Sequence, residues 1–266
     1  MTVFAAPAAT IPRDRFGRPL VTPPDGGKPV PYQRVSKLAK YLGDTYALDQ
    51  WRSRQVVTGL ARRPDLVTLA RSVGDDKDRL NEIARGAMDA AESDRAANLG
   101  TALHALTEQV DDGADINDLP PETHADLAAY RAAMTGIEVL AKEVFIVCDE
   151  LQAAGSFDKL VRLPDGRVVV GDVKTGANEP RYPFGATQQI AVYSRGHIYT
   201  PEKGRAGHLP TLGVDQSVGL LIHVPAGTGT AALYLLDIDL GWRLASTAVA
   251  VQQTFKGKPI TPYEPK

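Results

Sequence analysis

Two aspartates and a lysine stand where a single turn would bring them together. The segment GSFDKLVRLPDGRVVVGDVKTG, residues 155–176, carries turn chemistry in Pro164-Asp165-Gly166. If that tripeptide is a three-residue loop, Leu163 pairs with Arg167, Val161 with Val169, and Asp158 with Asp172. Opposite residues of an antiparallel pair project to one face, with Cβ atoms about 4.5–5.5 Å apart. Lys174 returns to that face two residues after Asp172. The other strand positions are apolar on both faces, Leu160, Val168 and Val170 on one, Phe157, Val161, Val169 and Val173 on the other. That is the pattern of a central sheet covered on both sides. Like charges opposed in such a sheet are destabilising, and burial raises at least one carboxylate pKa unless a cation sits between them. A hard divalent cation meets that need: Mg²⁺ takes one or two carboxylates and completes its shell with water and phosphate oxygens. Lys174 alone offers another offset, and its ammonium could contact a phosphate or position an attacking water. Short D-x-K strings are common, so the plain alternative is a hairpin with a chance aspartate pair and a salt-bridged lysine.

The elements that must position these residues follow from periodicity. Residues 1–31 contain seven prolines and few large apolar residues, which reads as an irregular, partly mobile arm. Residues 32–97 read as a helical region. Its first helices span about Val35 to Leu60, with Ser36 as a cap and Gly43 as a stop; others cover 63–73 and Asp76–Ser93. A helix opening at Asn98 or Gly100 and running through Val110 carries an apolar stripe of Leu99, Leu103, Leu106 and Val110. After a loop to Pro121 and a helix over 122–136, the period changes to that of strands at Val139–Val147, Phe157–Leu163 and Arg167–Lys174. A helix over 185–199, a strand pair at Ser217–Pro225 and Ala231–Ile238, and a closing amphipathic helix at Trp242–Phe255 complete the chain. The order predicts an α/β fold with an N-terminal helical elaboration, the core occupying residues 98–266.

Composition narrows the classes. The 266 residues are 43% hydrophobic and 23% charged, which suits a globular chain of one large domain. No apolar run approaches membrane-spanning length. The first residues lack the basic start and long apolar stretch of a signal peptide, so cytoplasmic residence and no membrane partner are expected. Cys148 is the only cysteine, which excludes a disulfide framework and a cysteine-ligated iron–sulfur cluster. The net charge of −2 is unevenly spread: +7 over residues 1–63, −12 over 64–155 and +3 over 156–266. The basic first quarter is either a phosphate-contacting surface or a solvated face balanced by the acidic middle.

The motifs together resemble the PD-(D/E)XK nuclease superfamily, and within it the RecB-like exonuclease branch with its phage and CRISPR-associated members. The residues that carry the resemblance are Asp158 at the start of the hairpin and Asp172-Val173-Lys174 on the return strand, followed by Thr175-Gly176. Upstream stands G-x-x-x-H, here Gly100 to His104, and downstream Q-x-x-x-Y, here Gln189 to Tyr193. The resemblance covers roughly residues 98–240 and implies a restriction-endonuclease-like core, a mixed central sheet flanked by helices. It implies that His104, Asp158 and Asp172, with the Val173 carbonyl, ligate one or two Mg²⁺ or Mn²⁺ ions. It implies that Lys174 orients or activates water, and that Gln189 and Tyr193, on one helical face, contact the strand or brace the site. The implied activity is metal-dependent DNA hydrolysis, most often exonucleolytic, in phage or bacterial recombination, repair or processing. The implied substrate is a DNA end or single-stranded segment, with a recombination or single-strand-binding protein as a candidate partner. Some relatives bind iron–sulfur clusters through cysteines; this chain lacks them.

Each residue has a plainer reading. His104 between Leu103 and Leu106 could be a packing or surface histidine; Glu108, one turn on, is either a metal-linked acid or an exposed carboxylate, and Glu143, entering the first strand, either approaches the site or is a strand-edge charge. Arg52, Arg54, Arg62 and Arg63, with Lys37 and Lys40, could hold a DNA backbone, and Tyr41 and Trp51 could stack on bases or pack in the core. The alternative function is a non-catalytic DNA-binding or assembly protein on a nuclease scaffold. An enzyme of small phosphorylated molecules lacks a P-loop or G-x-G-x-x-G cradle, and a serine or cysteine hydrolase lacks a nucleophile with partners.

Overall fold

The computed structural model of the chain describes residues 10–92 and 95–259, with the side chains of 95–97 excepted. The first nine residues of the expected arm, Ser93 at the expected end of a helix, and residues 260–266 lie outside the described residues. The arm forms a short antiparallel ribbon, β1 (Leu20–Val21) on β2 (Val30–Pro31). β3 (Gln33–Arg34) and α1 (Val35–Leu38) follow, then α2 (Tyr46–Arg62), α3 (Pro64–Val73), α4 (Lys77–Ala90), α5 (Arg95–Asp111) and α6 (His124–Ala133). Next come β4 (Glu138–Cys148), β5 (Ala153–Arg162), β6 (Val168–Lys174), α7 (Phe184–Ser194), β7 (His197–Thr200) and β8 (Gly204–His208). β9 (Val218–His223), β10 (Ala232–Asp237) and α8 (Ile238–Thr254) close the order. Local signals explain several starts: Pro64 sits in the first turn of α3, Asp76 caps α4 through the Asp78 and Arg79 amides, and Asp237 caps α8 through Leu240.

The protein is α/β. Its central sheet has eight strands in the order β10-β9-β6-β5-β4-β7-β8, and β3 adds in parallel at the start of β5. β6 and β9 are parallel and the other neighbours along that order antiparallel, so the sheet is mixed. Helices cover both faces. Leu160, Val170 and Leu221 pack with α1, α7 and α8 residues such as Leu38, Ile190 and Ala245. Val161, Val169, Val173 and Leu220 pack with Leu103 of α5 and Leu127 and Tyr130 of α6. The adjacent Leu220 and Leu221 go to opposite faces, as strand pleating requires. Among the described residues no helix is long and apolar enough to cross a membrane.

The hairpin closes as its turn chemistry dictates. The Leu163 amide donates to the Arg167 carbonyl and the Gly166 amide to the Leu163 carbonyl, each at 2.9 Å. The β5–β6 ladder then runs from Arg162↔Val168 to Lys159↔Gly171, which leaves Asp158 and Asp172 one step beyond the last paired residues. One expected face is wrong. Phe157 belongs with Leu160 and Val170, not with Val161, Val169 and Val173. The cause lies on the neighbouring strand: β4 and β5 pair Lys142↔Lys159 and Val144↔Phe157, but between them Glu143 takes φ 50° and the Glu143–Asp158 step is not a ladder pair. The alternation slips there, so residues three apart share a face.

The expected helix over 185–199 is also too long. α7 ends at Ser194, and His197–Thr200 is a strand against β4. Gly196 is the reason. A Cβ there would fall 2.3 Å from Ile146 Cγ2 and 2.9 Å from the Val147 carbonyl, a closeness only glycine allows. The apolar Ile198 and Tyr199 continue a helical pattern in sequence while facing a strand in space.

Candidate active site

Three carboxylates line up across three strands where the ladder breaks. Extending the observed registers by one residue sets Glu143 of β4 and Asp172 of β6 on either side of Asp158 of β5. His104 arrives from α5, which packs on the face carrying Val161, Val169 and Val173. Gly100, one turn earlier in α5, lets the helix come down on the residues after β6: a Cβ on Gly100 would sit 2.4 Å from Thr175 Oγ1. The G-x-x-x-H spacing therefore has a mechanical basis, with the glycine making the approach and the histidine using it.

Ligand-type atoms of His104, Glu143 and Asp158 all lie within 4.8 Å of one another. His104 Nε2 is 3.3 Å from Asp158 Oδ2, and its Nδ1 is 3.5 Å from Glu108 Oε1. The Val173 amide donates to Asp158 Oδ2 at 2.7 Å, so a backbone group of β6 fixes the carboxylate of β5. Asp172 stands outside that trio. It is 5% exposed and its Oδ2 lies 2.6 Å from Lys174 Nζ, at ion-pair distance. Neither His104 Nε2 nor Asp172 Oδ2, both buried, makes a well-directed hydrogen bond. An open cleft of about 460 Å³ is lined by Gly100, His104, Asp158, Val173, Lys174 and Thr175.

The titrations follow the crowding. Burial pushes Asp172 up to about 6, and Asp158 adds to it while the Lys174 ammonium opposes it. Desolvation, then the charges of Asp158 and Glu108, push Glu143 up to about 7. Burial also works against Asp158, but His104, the Val173 amide and Lys174 together hold it below its ordinary value. The Asp158 carboxylate beside it raises His104, against the effect of burial.

The remaining sequence candidates have distinct places. Tyr193 is 6% exposed, and a Cβ on Gly155 would lie 2.8 Å from its hydroxyl oxygen, so the ring closes down on β5. Burial and then the carboxylates of Asp172, Asp158 and Glu143 push its hydroxyl up. Gln189 instead donates to the Gly185 carbonyl of its own helix at 3.3 Å. Of the basic set, Arg52 and Arg63 are taken up by Asp49 and Asp65, and Arg62 donates to the Ala90 carbonyl. Cys148 is buried, which pushes its thiol up to about 11, as befits a core residue.

Two residues gain a place that the sequence reading did not assign. Glu143, open in sequence to either the site or a strand edge, joins the trio. Closing residues 149–152 as a tight turn, with Cys148 opposite Ala153, and counting outward would have placed it beside Asp158. His223 of β9 pairs with Lys174, and its Nε2 lies 2.8 Å from the Gly176 carbonyl, tying down the segment after Lys174. No family model matches the chain, and no curated protein matches it.

Proposed function

We propose that the protein is a divalent-metal-dependent deoxyribonuclease with a restriction-endonuclease-like core, related to the RecB-like exonucleases of the PD-(D/E)XK superfamily. The observation that carries the reading is the trio of His104, Glu143 and Asp158 near the Asp172–Lys174 pair, with His104, Asp158 and Lys174 lining one open cleft. The order of elements supports it: an antiparallel β4–β5–β6 unit, then α7, then β9 in parallel on β6. The donors suit Mg²⁺ or Mn²⁺, with carboxylate oxygens dominant and one imidazole nitrogen. His104, Glu143 and Asp158 would hold the ion, with Asp172 as a further acid. When bound, the ion polarises a phosphodiester and lowers the pKa of its water.

The chain's own groups do the rest. The Val173 amide and His104 hold Asp158 in one orientation, and Glu108 orients His104 from its other nitrogen. Asp172 places the Lys174 ammonium at the cleft, where it holds a phosphate oxygen or positions water and stabilises developing negative charge. Tyr193 keeps α7 against β5 beneath the carboxylates.

The test is digestion of end-labelled linear, circular and single-stranded DNA with Mg²⁺, Mn²⁺ or chelator. Metal-dependent cleavage is expected, lowered on the order of 10²–10⁴-fold in Asp158→Asn and Lys174→Ala. Wild-type-like digestion by either folded variant would refute the assignment; metal-independent binding with no cleavage in either ion would favour the non-catalytic alternative.

A further inference from the structure

A second cleft, of about 590 Å³, lies away from the carboxylates, between α1, the β4–β5 turn and the end of α8. Arg18 in its wall is held by Asp14 at 2.7 Å, and three further basic groups come from separate elements: Arg34 from β3, Lys37 from α1 and Lys256 after α8. All three are exposed and make no ion pair with the described residues. The acid in its wall is already satisfied, since Asp149 takes Arg205 Nε at 2.7 Å and the Tyr32 hydroxyl at 2.8 Å. Glu150 is the remaining carboxylate there, so cations outnumber free acids. Leu151 and Val249 give the floor an apolar surface, and the amides of Gln152, Gln252 and Gln253 supply hydrogen-bonding groups around it.

We infer that this cleft binds a short stretch of single-stranded nucleic acid, its phosphates on Arg34, Lys37 and Lys256 and a base over the apolar floor beside Tyr41. The inference rests on the nuclease reading and deepens it. Unpaired cations attract phosphates by releasing condensed counterions, an effect that depends on salt and not on base sequence. An aromatic or apolar surface with amide edges accepts any unpaired base. The volume is that of a site for a small-molecule-sized ligand, which suits part of a strand and not a duplex. Gln152 in this cleft and Asp158 in the other are six steps apart along the chain, with five residues of β5 between them, a strand length of roughly 20 Å. Lys37 alone among the residues of this cleft belonged to the basic set noted in the sequence; Arg52, Arg62 and Arg63 of that set are engaged elsewhere.

The test is anisotropy of a short fluorescent oligo-dT with the intact chain in chelator, across a salt series. Two phosphate contacts contribute about 1.4 to the slope of log affinity against log salt on a single strand. The Lys37→Ser/Lys256→Ser double variant should lose that much slope. The affinity ratio between about 50 and 200 mM salt should then shrink about sevenfold. Lys37→Arg/Lys256→Arg should restore it. An unchanged slope overturns the inference, as does full competition by dTMP at equal phosphate concentration, which would mark a mononucleotide site. An equal loss of slope on blunt duplex overturns the single-strand assignment. Hydrolysis of bis(p-nitrophenyl) phosphate by the wild type in Mn²⁺ tests the metal reading separately. Turnover with no groove effect sinks the inference alone; a groove effect with no turnover sinks the nuclease alone.

Discussion

Burial first, with neighbouring carboxylates adding to it, raises the pKa of both Asp172 and Glu143, and the sign of the consequence can be worked out. Both have folded pKa values raised, to about 6 and about 7, above those of the unfolded chain. The unfolded chain gives up these protons near pH 4 and the folded one only near pH 6 to 7, so stability falls as pH rises through that window. His104, raised by Asp158, contributes stability that is present below its unfolded pKa and is lost as pH rises through the folded one, so it acts in the same direction. Thermal melts in chelator should accordingly show a lower Tm at pH 8 than at pH 5.5, on the order of several degrees. Mn²⁺ should stabilise more at pH 8 than at pH 5.5, because ligands must lose their protons to bind. Glu143→Gln should flatten the chelator profile and weaken the Mn²⁺ effect together. A profile that rises with pH would contradict the crowded-carboxylate account.

At the scale of elements, the site depends on how closely α5 lies on β5 and β6. One end of that contact is Gly100 on Thr175. The other is a charged clamp inside the apolar layer. Lys159, fully buried on β5 next to Asp158, pairs with Asp111 at the end of α5, and the Tyr130 hydroxyl of α6 donates to the same carboxylate at 2.6 Å. Removing one partner of a buried pair leaves an uncompensated charge and costs about 3–5 kcal/mol. Lys159→Met should therefore destabilise by that order in denaturant melts, while Lys159→Met with Asp111→Leu should recover much of the loss. Gly100→Leu should lift the first turns of α5 from Thr175, weakening Mn²⁺ binding measured by calorimetry more than it lowers Tm. Equal Mn²⁺ affinity in that variant would show that the approach of α5 is not what sets His104.

Across the whole molecule the arm ties the far edge of the sheet to the β4–β5 turn. Val21 is buried with Tyr32, Val147 and Tyr199, the Arg205 guanidinium donates to the Thr22 carbonyl, and Arg205 and Tyr32 meet on Asp149. An irregular segment can be well held when its few apolar residues and its backbone carbonyls have partners. Asp149→Ala removes the common acceptor, so limited proteolysis should nick residues 10–31 faster, while the sheet's thermal transition moves little. Unchanged nicking would mean that burial of Val21 and Tyr32 alone secures the arm.

The amino-acid sequence by itself determined the hairpin. A Pro-Asp-Gly turn and period-two apolar runs admit one register, and that register brings Asp158 and Asp172 level. It also marked α4, whose Asp76 cap is local, but it began α8 four residues late, because Asp237 and Ile238, read as the end of a strand, cap and open that helix. The tertiary structure decided what depends on contacts distant in sequence. Glu143 joins His104 and Asp158 because the β4–β5 ladder breaks at one step. His197–Thr200 is a strand because Gly196 passes against β4, and the cations of the second cleft meet because α1 and α8 share one face of the sheet. Local pattern reports what a residue prefers along its own element; which elements become neighbours depends on packing that no single segment encodes.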